Sequence, residues 1–196
     1  MKFQLHNYQN KNTGFTLIET LVAITILMIS IVGPLTIASK GLTAAVGSRD
    51  QVIASYLAQD AMEYIKNIRD SDLLADSNSG WTTFLNFLNS NSLGCATGIA
   101  CGIETGLGGS TYTQGSLLRC DSFSISSCNL YTDATNKYYT HSSSGNIPTL
   151  YNRSFTVTKE DPSLSDAALV TVTVTWKNGN VGNSVVLTSM LFNTPR

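Results

Sequence analysis

Residues 20–39 carry no charge, and almost every position among them is apolar or a small hydroxyl residue. A helix needs about 20 such residues to cross the core of a bilayer. Beyond Lys40 the pattern turns amphipathic. Leu42, Val46, Ile53, Tyr56, Leu57, Tyr64, Ile65 and Ile68 recur near helical spacing, while Arg49, Asp50, Gln59, Asp60, Glu63, Lys66 and Asn67 take the other faces. The pattern predicts one helix from about residue 15 to about residue 69, stopped by Asp70-Ser71-Asp72 and by the turn residues that follow Asp76. Its outer half is expected to bury one stripe against a sheet. Pro34 lies inside the apolar run and predicts a kink, because proline lacks the N–H and its ring crowds the preceding turn.

The last quarter of the chain alternates. Phe155-Thr156-Val157-Thr158 has period two, and Asp161-Pro162-Ser163 breaks it. Val170, Val172, Val174 and Trp176 then share one face, with threonines on the other, which is the period of a half-buried strand. Lys177-Asn178-Gly179-Asn180 contains Asn-Gly, a strong hairpin signal, although the loop can be drawn as far as Asn183. Residues 184–192 pair back. The expectation is an α+β fold: a long N-terminal helix packed on a C-terminal antiparallel β-sheet of at least three strands. Between them, residues 72–146 are rich in Ser, Thr, Asn and Gly, with one apolar island at residues 81–88 that predicts one or two helical turns.

Composition adds two constraints. Charged residues are 13% of the chain, about half the share of an average soluble domain. The net charge is −1 and Lys and Arg do not cluster, so no nucleic-acid partner is predicted. The four cysteines, Cys95, Cys101, Cys120 and Cys128, all lie in the polar middle region. Four cysteines allow three pairings and the sequence does not choose; the short separations make Cys95 with Cys101, and Cys120 with Cys128, the simplest. Such bonds persist outside the cytoplasm.

The sequence carries little sign of catalysis. His6 is near the start, and His141 sits in a Ser-rich loop where solvent exposure is expected. The cysteines lack the spacing of a zinc site, and Gly106-Leu107-Gly108-Gly109 reads as a turn rather than a phosphate loop. Asp70, Asp72 and Asp76 do not fit an EF-hand and read as helix termination. The chain is therefore read as a non-enzyme with no cofactor and no metal.

The head of the apolar run is the most specific feature. It reads Thr13-Gly14-Phe15-Thr16-Leu17-Ile18-Glu19-Thr20-Leu21. A basic, polar stretch holding Lys2 and Lys11 ends at Gly14, and one carboxylate, Glu19, stands inside the apolar segment. A charge in a membrane helix costs roughly 2.5–3.5 kcal/mol on insertion scales, so its partner is worth seeking. An amine freed at Phe15 by cleavage after Gly14 has the right sign at the same depth.

This stretch resembles the processing motif of type IV prepilins and of type II secretion pseudopilins. The resemblance implies cleavage between Gly14 and Phe15 by a prepilin peptidase, N-methylation of Phe15, and pairing of Glu19 with the N-terminal amine of a neighbouring subunit during assembly. It also implies a proline kink near the depth of Pro34. The organisation expected is then a leader at 1–14, a transmembrane helix half at 15–40, an amphipathic half at 41–71, a variable disulfide-bearing region at 72–146 and the antiparallel sheet at 147–196. The helix end at Tyr56-Leu57-Ala58-Gln59-Asp60-Ala61-Met62-Glu63-Tyr64-Ile65 resembles PilV-like minor pilins and I-type minor pseudopilins, as does the strand–Trp–turn–strand order near the C-terminus.

The implied partners are the prepilin peptidase/methyltransferase, other pilin or pseudopilin subunits, membrane lipid and an inner-membrane assembly platform. The implied location is a single-pass membrane protein with its C-terminal domain extracytoplasmic, and then a surface or periplasmic filament. An ordinary signal peptide has a shorter apolar core, of about 7–15 residues, and would avoid Glu19. A plain membrane anchor bearing a binding or adhesin domain that does not polymerise is the alternative.

Overall fold

The computed structural model describes residues 14–89, 95, 98–106, 117–120, 128–135, 137–158 and 166–194. It is an α+β structure: helix α1 (Leu17–Ala75), helix α2 (Gly80–Leu88), and strands β1 (Cys101–Ile103), β2 (Leu117–Arg119), β3 (Asn129–Thr132), β4 (Tyr139–Thr140), β5 (Ile147–Thr158), β6 (Ala167–Asn178) and β7 (Val181–Phe192). The chain divides into two units, residues 1–46 and 47–196.

In the first unit, α1 is apolar on every side and its side chains are exposed, from Leu17 at 87% to Ile37 at 74%. A helix that is apolar all round has no single face to bury, so it requires lipid or other helices around it. The helix continues through Pro34.

In the second unit, α1 presents Ala54, Leu57, Ala58, Ala61, Met62 and Ile65 to the core. The expected stripe holds in part: Leu57 and Ile65 are in the core and Ile53, Tyr64 and Ile68 pack against it, but Tyr56 is 67% exposed and Asp50, assigned to a polar face, is buried. Three alanines carry the inward face, and a periodicity drawn through the largest side chains passes over them. The helix also runs past Asp72 and stops at Ala75. Asp76 makes the stop: one carboxylate oxygen accepts the Asn78 N–H at 2.9 Å and the other the Ser79 hydroxyl at 2.5 Å. Gly80 then opens α2, whose Trp81, Phe84 and Leu88 turn into the core.

The sheet has seven strands, all paired antiparallel. β5 is its centre. One edge of β5 pairs with β6 from Tyr151↔Trp176 to Thr158↔Leu169. Its other edge takes β3 at Asn152 and β1 at Phe155, with β4 beyond β3 and β2 beyond β1. The region read as a variable insert thus supplies α2 and four short strands to the same sheet and core. β6 and β7 pair over their whole lengths, from Ala167↔Phe192 to Asn178↔Val181. Their loop is Gly179-Asn180, with the positive φ (62°) at glycine, the first central position, as a type II′ turn requires. The hairpin therefore turns one residue later than an Asn178-Gly179 turn would, and it ends well before Asn183.

Candidate functional site

Gly14, Phe15 and Thr16 lead into α1, and the Thr16 carbonyl accepts the first helical bonds from the N–H groups of Glu19 (3.1 Å) and Thr20 (3.2 Å). Glu19 therefore lies in the first turn of α1, where the helix dipole favours a carboxylate. A Cβ built on Gly14 meets nothing within 4 Å. The fold makes no demand for glycine here, so any requirement for it lies in what another protein does to this bond. Phe15 is 80% exposed.

Four hydroxyl groups in the apolar segment are satisfied internally. Thr20, Thr25, Ser30 and Thr36 donate to the carbonyls of Leu17, Val22, Leu27 and Val32 at 2.8–2.9 Å, a back-bonding that lets hydroxyls sit away from water. Glu19 is the one carboxylate of this segment, and among the described residues it has no side-chain partner.

A family model for the prokaryotic N-terminal methylation motif matches residues 9–33. This match supports a type IV pilin-like family. It implies processing by a prepilin peptidase and assembly with other pilin subunits, and it points to a structural subunit rather than an enzyme. The apolar helix and the motif together fit a membrane-anchored protein with an extracytoplasmic domain. No significant match was found among curated proteins or among solved structures.

The four cysteines and His141 lie in the second unit. The structure pairs Cys95 with Cys101 (Cα–Cα 6.0 Å) and Cys120 with Cys128 (5.3 Å), both within the span of a disulfide. Among the described residues no group of three or more His, Cys, Asp or Glu could hold a metal. His6, Lys2 and Lys11 lie outside the described residues.

His141 is not exposed as expected: it is buried within a polar cluster that joins α1 to the sheet. The expectation rested on its Ser-rich neighbours, but Gly102 opposite leaves the ring its space, since a Cβ there would lie 3.0 Å from the imidazole Nε2. The Glu104 carboxylate accepts the His141 backbone N–H (2.9 Å) and the Thr140 hydroxyl (3.0 Å), and lies 3.7 Å from the His141 Nδ1. Burial alone would push the Glu104 carboxyl up; the donors of His141 and Thr140 outweigh it and hold it below its ordinary value. Burial, with the Arg153 charge adding to it, pulls His141 below its ordinary value, so the imidazole is neutral at pH 7.

Arg153 is wholly buried and spans three segments. Its guanidinium donates to Asp60 (2.8 Å) and to the Leu57 carbonyl (3.3 Å) on α1, to the Ile103 carbonyl (3.1 Å) at the end of β1, and to the Thr105 hydroxyl (3.0 Å) just after it. Thr105 in turn donates to Asp60 at 2.5 Å. Asp60 remains half exposed, at the floor of a cleft of about 740 Å³ flanked by Tyr56, Tyr138 and Tyr139. The sequence reading missed both Arg153 and Glu104. A signal existed for Arg153: the alternation Phe155, Val157 extends backwards to Arg153 and Tyr151, which puts the arginine on the inward row.

The cluster holds acids, a base and two hydroxyls, those of Thr105 and Thr140. The His141 side chain is fully buried and Glu104 is 2% exposed, so neither meets solvent.

Proposed function

We propose that this chain is a minor subunit of a type IV pilus or of a related pseudopilin filament. The observation that carries the reading is the Gly14-Phe15 junction standing free at the head of an exposed apolar helix whose first turn holds the single carboxylate Glu19. Cleavage after Gly14 removes the basic leader and frees the Phe15 amine, which becomes N-methylated. The helix then leaves lipid and packs among like helices. Glu19 pairs with the amine of a neighbouring subunit and sets axial register, since a buried carboxylate without a cation is costly. The contact is heterologous and does not close, so it propagates as a helical fibre. Pro34 supplies a point at which the packed helix can bend.

The minor rather than major role follows the resemblance of the helix end and of the C-terminal hairpin to PilV-like pilins and I-type pseudopilins. The partners are the prepilin peptidase/methyltransferase, the other subunits and an assembly platform in the inner membrane. The test is intact mass with N-terminal sequencing of the protein recovered from membranes, with and without the peptidase. A chain beginning at methylated Phe15 only when the peptidase is present supports the reading. A chain that retains its leader in both cases removes it and leaves an anchored domain.

A further inference from the structure

The two sides of the sheet are built differently. On one side the strands are two to four residues long, Arg119 ends β2, the register of β3 on β5 shifts between Asn129 and Tyr131, and Pro148 lies in β5. Short length, charge, bulges and proline are the devices that keep an edge from pairing with another chain. The other side ends in β7, which has none of them. β7 is 12 residues long, pairs with β6 in unbroken register, and contains no charged residue and no proline. Among the described residues it pairs with β6 alone. Its outward row includes Val186 (57% exposed), Thr188 and Phe192 (52%). In the same face β6 sets Thr171 and Thr173 beside Thr188 and Val186, so the surface next to that stretch is also uncharged, while Lys177 stands opposite Gly182 at the turn end.

We propose that β7 is a docking edge that takes an eighth strand: an extended, uncharged, proline-free segment of another polypeptide, added antiparallel. Backbone N–H and C=O groups along β7 supply the hydrogen bonds of such an addition, and alternate side chains supply its selectivity. Antiparallel order follows the rest of the sheet and is the more stable pairing. The chemistry of the occupant follows from the edge. On the inward row Val185 and Leu187 are half-buried against the core, so a charged residue set beside them would lose water without gaining a partner. Among the described residues, the suitable edge of a second copy is β7 itself, and a β7–β7 pair would close on itself; preferring a different chain rests on the filament reading, which requires contacts that propagate.

The experiment uses the full chain in its own membrane, with a photo-crosslinking amino acid placed singly at Val186, Thr188 or Met190, and at Thr173 as the control one strand inside the edge. The expected result is adducts from the three β7 positions to alternate residues of one segment of another polypeptide, in reversed order, and few from Thr173. The double variant Val186→Lys, Thr188→Lys should reduce the Met190 adduct about tenfold, while Thr173→Lys leaves it within about twofold. Adducts to a second copy, adducts that scatter equally to Thr173, or none from β7 would each overturn the proposal. Intact mass on the same sample reports cleavage after Gly14, so loss of the filament reading is scored separately from loss of strand addition.

Discussion

Arg153 and Asp60 form a pair in which one partner is wholly buried and the other half exposed. That asymmetry predicts unequal effects. Asp60→Ala leaves a buried guanidinium with Glu104 as its remaining nearby carboxylate, and should cost about 3–5 kcal/mol in urea unfolding. Arg153→Met leaves Asp60 free to rehydrate and fills the space with an apolar chain, so it should cost less. Equal losses would mean the charge pair is not what orders the site. The neighbouring His141 and Glu104 set the response to acid. Both are held below their ordinary values in the folded chain, so the unfolded state binds more protons as pH falls. Stability should drop as pH falls through about 6.5, where an unfolded histidine protonates, and further below about 4.3, where an unfolded glutamate does. Melting temperature against pH measures this, and His141→Gln should flatten the upper step. These residues were hard to read in the sequence because their roles are long-range. Glu104 meets His141 across 37 positions and Arg153 meets Asp60 across 93. Local composition around His141 pointed outward, and only the far partner makes burial tolerable.

Elements with a long regular pattern were legible, and those fixed by their neighbours were not. The alternation of β6, the paired run of β7 and the existence of α1 follow from period alone. Strands β1 to β4 do not, because two to four residues carry too little pattern; β1 and β3 owe their place to β5, and β2 and β4 to those two in turn. The inward stripe of α1 is legible at Leu57 and Ile65 but passes over Ala54, Ala58 and Ala61, which carry little hydrophobic signal while being fully or almost fully buried. The α1–α2 corner shows how such an element depends on one residue. A Cβ on Gly80 would collide with the Asp72 carbonyl and come within 2.9 Å of the Leu73 Cα, and both are backbone atoms that cannot swing aside. Gly80→Ala should therefore cost about 1–3 kcal/mol, and α2 should shift. Trp81 is buried at the start of α2, so with Trp176→Phe in both parent and variant its fluorescence reports the shift. An unchanged emission maximum and midpoint would show that the corner can open without loss.

At the scale of the whole molecule, the first unit has a property that its own packing does not explain. Its apolar side chains are exposed, the hydroxyls of Thr20, Thr25, Ser30 and Thr36 are satisfied along the helix, and Glu19 remains. Considered only as a membrane anchor, the chain would be improved by Glu19→Ala, since removing a charge makes insertion easier, by up to the roughly 2.5–3.5 kcal/mol that a charge costs at a helix centre. Considered as a filament subunit, the same change removes the group that fixes register, and incorporation should fall about tenfold or more, with Glu19→Gln between the two. The two views differ in sign for one variant, so comparing its amounts in sheared filaments and in the membrane decides between them. Gly14→Val completes the comparison. Open space surrounds Gly14, so the variant should melt as the parent does while remaining uncut by intact mass. An uncut Gly14→Val chain that still enters filaments would show that the free Phe15 amine is not what Glu19 seeks. A Glu19→Ala chain that is cut but stays in the membrane would show that the carboxylate acts after processing, at assembly.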